Sequence, residues 1–318
     1  MRVGFRNFWP GFDPEHFFLP LLRGMQPALD VVVGQSGPLD LELVSVFGRD
    51  RRSPTPSLRR AVARRLASLW RATAAPTVAV CPSPHAKVSI WFTGENIRPP
   101  RGAWDLRLSF DGDSTAPANR YLPLWWLLLP ELLLPSVPRA SGENRLGRTL
   151  TLDELSAPRV ARRHGRERFA CAFIGNPEPL RMRAVRALSS IGPVDVFGSV
   201  SGRWVEAKQD VARHYRFVLC FENSVAPGYV TEKAFDAWGT GAVPLWNGLD
   251  PHGFLNPAAL INYASCAGMD EFCARVARID RDAAAWSALA SQPLLLRRPS
   301  LAPIRTAIWD LLAGAGVV

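Results

Sequence analysis

Lysine is nearly missing from this chain. Of 38 basic residues in 318, only Lys87, Lys208 and Lys233 are lysines, so each ammonium is worth following. Cysteine is sparse too. Cys81, Cys171, Cys220, Cys266 and Cys273 stand in apolar surroundings without CxxC spacing. An odd number without metal-ligand spacing points to packed, reduced thiols and a reducing, cytoplasmic compartment. No apolar run is long enough to span a membrane: the longest, residues 121–134, is broken by Pro123, Pro130 and Glu131. The opening MRVGFRNFWPGF holds no apolar h-region, so no secretory signal is expected. There is no G-x-G-x-x-G or Walker sequence, no internal repeat, and no RNA- or DNA-binding motif.

What is present describes a folded α/β protein. With 47% hydrophobic and 21% charged residues the chain is globular, and its length exceeds what one core organises, so two domains are expected. The formal charge of +10 is uneven. Residues 49–71 hold eight arginines against the single acid Asp50, a net of +7. There Leu58, Val62, Leu66 and Leu69 recur at helical spacing, with Arg59, Arg60, Arg64 and Arg65 between them. Such a helix reads either as an ordinary surface helix or as one docking on an anionic membrane surface. A basic nucleic-acid-binding protein is the alternative from a different class. The missing motifs and the confinement of charge to one helix count against it, so no nucleic-acid partner is expected.

Short apolar runs alternate with helical patterns along the chain. Strands are expected at residues 2–5, 31–33, 41–47, 88–92 and 106–110, with a helix over 14–25. Thr93-Gly94-Glu95-Asn96 follows the fourth strand, where Glu95 taken alone reads as a turn residue. Asp111-Gly112-Asp113 pairs two acids at a spacing that suits a solvated turn better than a metal. The first domain is placed at 1–140, with a basic insertion at 49–86, then a linker at 141–167, a second domain at 168–300 and a closing helix at 301–318. In the second domain, strands are expected at 169–174 and 194–197 and helices at 180–191 and 206–214. Further helices follow at 269–279, 281–289 and 304–312.

The most informative stretch is residues 215–250, YRFVLCFENSVAPGYVTEKAFDAWGTGAVPLWNGLD. A buried strand over 217–221 ends at Glu222 and Asn223, which need partners. A loop with Pro227 and Gly228 follows. Thr231-Glu232-Lys233 then opens an amphipathic helix, with Thr231 as N-cap and Phe235 and Trp238 on the core face. Gly239 and Gly241 close it, and a strand over 242–246 completes the unit. Ligands bind such units at the carboxyl ends of their strands. A carboxylate there can accept both ribose hydroxyls and an ammonium can neutralise a diphosphate.

The string FxLxFENS…GYVTEK…A…G.VP…G resembles the signature of the alpha-1,3-fucosyltransferases, glycosyltransferase family 10, in their bacterial type. RFACAFIGNPEPLRMRAVRALSSI over 168–191 is similar to that family's strand, Asn-Pro loop and arginine-led helix, and SIWFTGEN over 89–96 to its N-terminal Glu loop. The resemblance implies two Rossmann-like domains facing across a cleft in GT-B architecture. It also implies GDP-fucose as donor substrate, with no metal and no other cofactor, and an inverting transfer of L-fucose to a hydroxyl of a glycan or glycolipid acceptor. By that likeness Glu232 holds the ribose and Lys233 the diphosphate, with Arg181 as a second cation. Asn223 and Tyr229 line the fucose pocket with Glu222 nearby, Asn176 of the Asn-Pro loop joins the donor-binding set, and Glu95 is the general base. A transferase for another GDP-sugar is the alternative within the class. The expected site of action is cytoplasmic, peripheral on the inner membrane, with a lipopolysaccharide-like acceptor.

Overall fold

The computed structural model describes residues 1–9, 11–25, 30–34, 37–47, 81–98, 102–112, 118–133 and 146–318. The arginine-rich segment, including Arg59, Arg60, Arg64 and Arg65, lies outside the described residues, as does Asp113. Contacts divide the chain into two compact units, Met1–Leu122 with Ala302–Val318, and Pro123–Leu301.

The first unit holds β1 (Arg2–Arg6), α1 (Phe18–Arg23), β2 (Val32–Val33), β3 (Leu39–Val44), β4 (Ala86–Phe92), β5 (Leu106–Ser109) and β6 (Asn119–Tyr121). Its six strands pair in the order β2-β1-β3-β4-β5-β6, all parallel. A parallel sheet needs both faces covered, so its strands carry near-continuous apolar runs; Val88, Ile90, Trp91 and Phe92 of β4 are all buried. The helix expected over 14–25 is shorter and begins in a different register. Pro14–His16 forms a 3-10 turn capped by Asp13, and α1 starts only at Phe18.

The second unit begins at Pro123, ahead of the boundary expected near residue 140. Residues 124–129 are not a stray apolar run: Leu124–Leu128 is a 3-10 helix, α2 (Pro130–Leu133) follows, and Trp125 stacks on Phe235 at 4.4 Å between ring centroids. Such a stack adds about 0.5–1.5 kcal/mol to the area the rings bury. The remaining elements are α3 (Leu152–Ser156), β7 (Arg168–Phe173), α4 (Pro179–Leu188), β8 (Val194–Phe197), α5 (Lys208–Ala212), β9 (Tyr215–Leu219), α6 (Lys233–Gly239), β10 (Val243–Trp246), β11 (Ile261–Asn262), α7 (Met269–Arg281) and α8 (Ala283–Ala290). α9 (Ala302–Gly314) belongs to the first unit. No described helix is long and apolar enough to cross a membrane.

The strands of this unit pair in the order β11-β10-β9-β7-β8, all parallel. β7 leads through α4 to β8 on one side, whereas β9 lies on the other side of β7. The strand order therefore reverses between β7 and β9, and the crevice beyond their carboxyl ends is where open α/β sheets take ligands.

Two half-buried arginines gather carbonyls at helix C-termini and at the strands beside them. Arg159 donates from Nε to Ala290 O, the last carbonyl of α8, and from its Nη atoms to Trp238 O and Ala242 O. Arg166 donates to Ala212 O, Tyr215 O and Thr240 O. They satisfy carbonyls that a helix end leaves open. Burial pulls their pKa values down, to about 9 for Arg159 and about 10 for Arg166. Gly241 is required beside them: its φ is +83°, and a Cβ there would fall 2.1 Å from the Arg166 guanidinium.

Candidate functional site

β9 is shorter than its apolar run. It ends at Leu219, and Cys220 still donates its N–H to Leu245 O of β10 at 2.9 Å. Two residues on, Glu222 is buried with its carboxylate fully engaged. Oε1 accepts from Thr231 N–H at 2.9 Å and from Trp246 Nε1 at 3.3 Å, and Oε2 accepts from Thr231 Oγ1 at 2.7 Å. Lys233 Nζ stands 3.3 Å from Oε2. A buried charge is tolerated only with such partners. The partners that Glu222 was expected to need come from the loop and β10.

This pairing also alters how α6 begins. Thr231 is not its N-cap, because the Thr231 hydroxyl goes to Glu222. Glu232 occupies the cap position in helical conformation without a capping bond, and the helix runs Lys233–Gly239. Nor is α6 amphipathic: Ala234, Phe235, Asp236, Ala237, Trp238 and Gly239 are all buried. A helix enclosed on every side needs each polar group answered, and Asp236 meets Lys208 Nζ at 2.6 Å.

Glu232 keeps a quarter of its side chain exposed beside Lys233 Nζ, 3.5 Å away. Burial would push its carboxyl up, but the Lys233 and Lys208 ammoniums more than offset this and bring it down to about 2. Burial likewise acts to lower Lys233, and Glu232 and Glu222 override it, holding the ammonium above its ordinary value. Both side chains are ionised at neutral pH.

Arg181 rises from the first turn of α4, whose N-cap Glu178 accepts the Arg181 N–H. The guanidinium is buried and donates to Asn176 O at 3.0 Å, Phe221 O at 2.6 Å and Asn223 Oδ1 at 2.8 Å. It thus joins the loops that end β7 and β9, on either side of the strand-order reversal. Desolvation lowers its pKa, with Glu178 and Glu222 acting the other way, and Tyr229 lies close enough to act on it too. Tyr229 is buried, and Asn176 is exposed on its loop.

Arg181, Lys208, Lys233 and Asp236, with Phe173 and Leu219 among others, line a small cavity open to solvent. The structure therefore gathers Asn176, Arg181, Glu222, Asn223, Tyr229, Glu232 and Lys233 at the end of one sheet. Glu95 belongs to the first unit, on the turn after β4. There its N–H donates to Thr93 Oγ1 at 3.0 Å and its carbonyl accepts from that hydroxyl at 2.9 Å. Asp111, read as part of an acidic turn, is buried against Arg98. Among the described residues no group of three or more His, Cys, Asp or Glu is arranged to hold a metal ion.

Sequence reasoning left Lys208 and Asp236 out of the site. The scarcity of lysine was the available signal, since Lys208 and Lys233 both line the cavity while Lys87 pairs with Asp40 on the first sheet.

Residues 164–289 match the profile described as glycosyltransferase family 10 (fucosyltransferase) C-term. Over 108 residues, 32% of the chain, it is 37% identical to the Alpha-(1,3)-fucosyltransferase FucT of Helicobacter pylori, covering 23% of that protein. Over 90 residues, 28% of the chain, it is 33% identical to an Alpha-(1,4)-fucosyltransferase of Arabidopsis thaliana, covering 22% of it. The matched segments thus span less than a quarter of these relatives. Among solved structures, an alpha1,3-fucosyltransferase superposes with a TM-score of 0.67 over 98% of this chain and 90% of its own, at 20% identity. An alpha1,3-fucosyltransferase structure described with GDP-fucose gives 0.67 at 19% identity over the same shares. At that identity the likeness establishes the fold, two Rossmann-like α/β domains of the GT-B kind.

Proposed function

We propose, from the premise that residues 164–289 are the C-terminal domain of a glycosyltransferase family 10 member, that this chain moves L-fucose from GDP-fucose to a hydroxyl of an acceptor glycan, with inversion at the anomeric carbon. The observation that carries the reading is the pair at the strand-order reversal, where Lys233 lines the cavity and Glu232 sits ionised beside it. Lys233 meets the diphosphate and Glu232 the ribose hydroxyls, while Asn223, Tyr229 and Asn176 line the rest of the donor path. Glu222 and Arg181 act from behind: one fixes the Thr231 turn, the other holds the two loops together and adds positive charge.

In the transfer, the acceptor oxygen attacks the anomeric carbon as the bond to the β-phosphate oxygen breaks. GDP leaves with the bonding pair, its developing charge met by fixed cations. The acceptor proton goes to a base, assigned to Glu95, and β-linked fucose becomes α-linked. No covalent intermediate is needed.

The first experiment is hydrolysis of a panel of GDP-sugars by the purified chain, then an acceptor screen with the preferred donor. Preference for GDP-fucose supports the reading; preference for another GDP-sugar replaces the sugar and leaves the nucleotide site intact. A lipopolysaccharide-like acceptor at an inner-membrane surface belongs to the same proposal, with the arginine-rich segment as the membrane contact. Changing Arg59, Arg60, Arg64 and Arg65 together to Ser tests it: binding to anionic liposomes should fall sharply, and undiminished binding removes the membrane role.

A further inference from the structure

Three cations line the cavity, and they differ in how many hydrogen-bond directions the protein has already claimed. Lys233 Nζ faces Thr231 Oγ1 at 2.9 Å, Glu222 Oε2 at 3.3 Å and Glu232 Oε1 at 3.5 Å, so a phosphate that it meets displaces one of these acceptors. Arg181 gives three of its five N–H donors to Asn176 O, Phe221 O and Asn223 Oδ1, and so ties down the two loops. Lys208 is different. Among the described residues its one hydrogen-bond acceptor is Asp236 Oδ2, at 2.6 Å, with the Phe173 ring 5.9 Å from Nζ. Two of its three directions are uncommitted, and it lies close enough to Glu232 to act on it electrostatically.

The position of the pair also calls for an explanation. Asp236 is buried within α6 and Lys208 is nearly so, with 3% and 15% of their side chains exposed. A buried ion pair typically adds no more stability than apolar residues of the same shape would. A pair that only filled space could be apolar, like Phe235 and Trp238 beside it. What the pair does provide is an ammonium held at the wall of the cavity.

We infer that Lys208 is a phosphate-binding residue of this cavity, an ammonium stored against Asp236 that donates to the diphosphate of a nucleoside diphosphate sugar. The inference rests on the donor reading above and extends it: of the three cations, Lys208 has the fewest protein acceptors. Asp236 orients the ammonium and keeps it from folding back onto Glu232.

The test measures GDP and guanosine affinity by titration calorimetry for wild type, Asp236→Asn and the double variant Lys208→Met/Asp236→Asn, with thermal unfolding in parallel. The double variant carries no buried unpaired charge, so it separates phosphate binding from neutralisation of Asp236. It should lose roughly 10–100-fold in GDP affinity, the worth of a hydrogen bond to a charged group, with guanosine affinity unchanged. Asp236→Asn alone, which keeps the ammonium and removes its competitor, should bind GDP as tightly as wild type or more tightly. Wild-type GDP affinity in the double variant overturns the inference alone, and so does a weakened GDP affinity in Asp236→Asn, which stands as the test should the double variant not fold. Failure of the wild-type chain to bind GDP overturns the donor reading, and this inference with it.

Discussion

Thr231 gives both its backbone N–H and its hydroxyl to the carboxylate of Glu222, at 2.9 and 2.7 Å, across nine residues of loop. The relationship sets the start of α6 and therefore where Glu232 and Lys233 point. Glu222→Ala should strip three donors and one ammonium of their buried acceptor, costing about 3–5 kcal/mol of stability. Denaturant unfolding measures this directly; a change below 1 kcal/mol would mean the turn is held by other contacts.

Arg181→Lys should fail although it keeps the charge. A guanidinium reaches Asn176 O, Phe221 O and Asn223 Oδ1 together because its donors are spread in a planar fork, whereas an ammonium is a compact point. The expected result is a lower melting temperature together with weaker GDP binding. Normal values of both would show that charge alone is what the position requires.

The ion pair beside the cavity makes stability fall in acid. Glu232 is brought from the ordinary 4.5 down to about 2 in the folded chain, burial opposing and Lys233 and Lys208 prevailing. A depressed carboxyl contributes stability that is complete above its unfolded value and is lost as the pH falls through the folded one. The contribution should be full at pH 5.5 and decline progressively between about 4.5 and 2. Denaturant midpoints across that range, wild type against Glu232→Gln, should converge at the acid end. Parallel curves would show that Glu232 is not the group titrating.

Glu95→Gln separates donor from acceptor chemistry. The substitution lies on the other unit from the cavity, so GDP affinity should hold while transfer drops by roughly 10²–10⁴-fold, the usual worth of a general base. Near-normal transfer would place the base elsewhere.

Much of this protein was legible from its residues. Apolar runs bounded by turn residues locate β4, β7, β9 and β10, since strands buried on both faces leave a continuous signal. The density of FENS and GYVTEK points to the carboxyl end of one strand, β9, as the candidate site. What failed was partnership. Thr231 has the chemistry of an N-cap, and only the return of the chain beside β9 shows that a buried carboxylate outcompetes the helix for its hydroxyl. Glu222 reads as a carboxylate still in need of partners because those partners, Thr231 and Trp246, lie 9 and 24 residues away. Lys208 and Asp236 were invisible as a pair for the same reason, standing 28 residues apart.

The sequence by itself thus determined the elements and the chemistry available: strand, acidic turn, helix, and a lysine where lysine is rare. Hydrophobic periodicity is local, so it can be read along the chain. The tertiary structure decided how each charge is used. Burial sets a cost on every unpaired polar group, and which group meets which depends on the order β11-β10-β9-β7-β8 and not on distance along the sequence. That order is why Glu222 holds a turn, Arg181 holds two loops, and Lys208 keeps donors to spare.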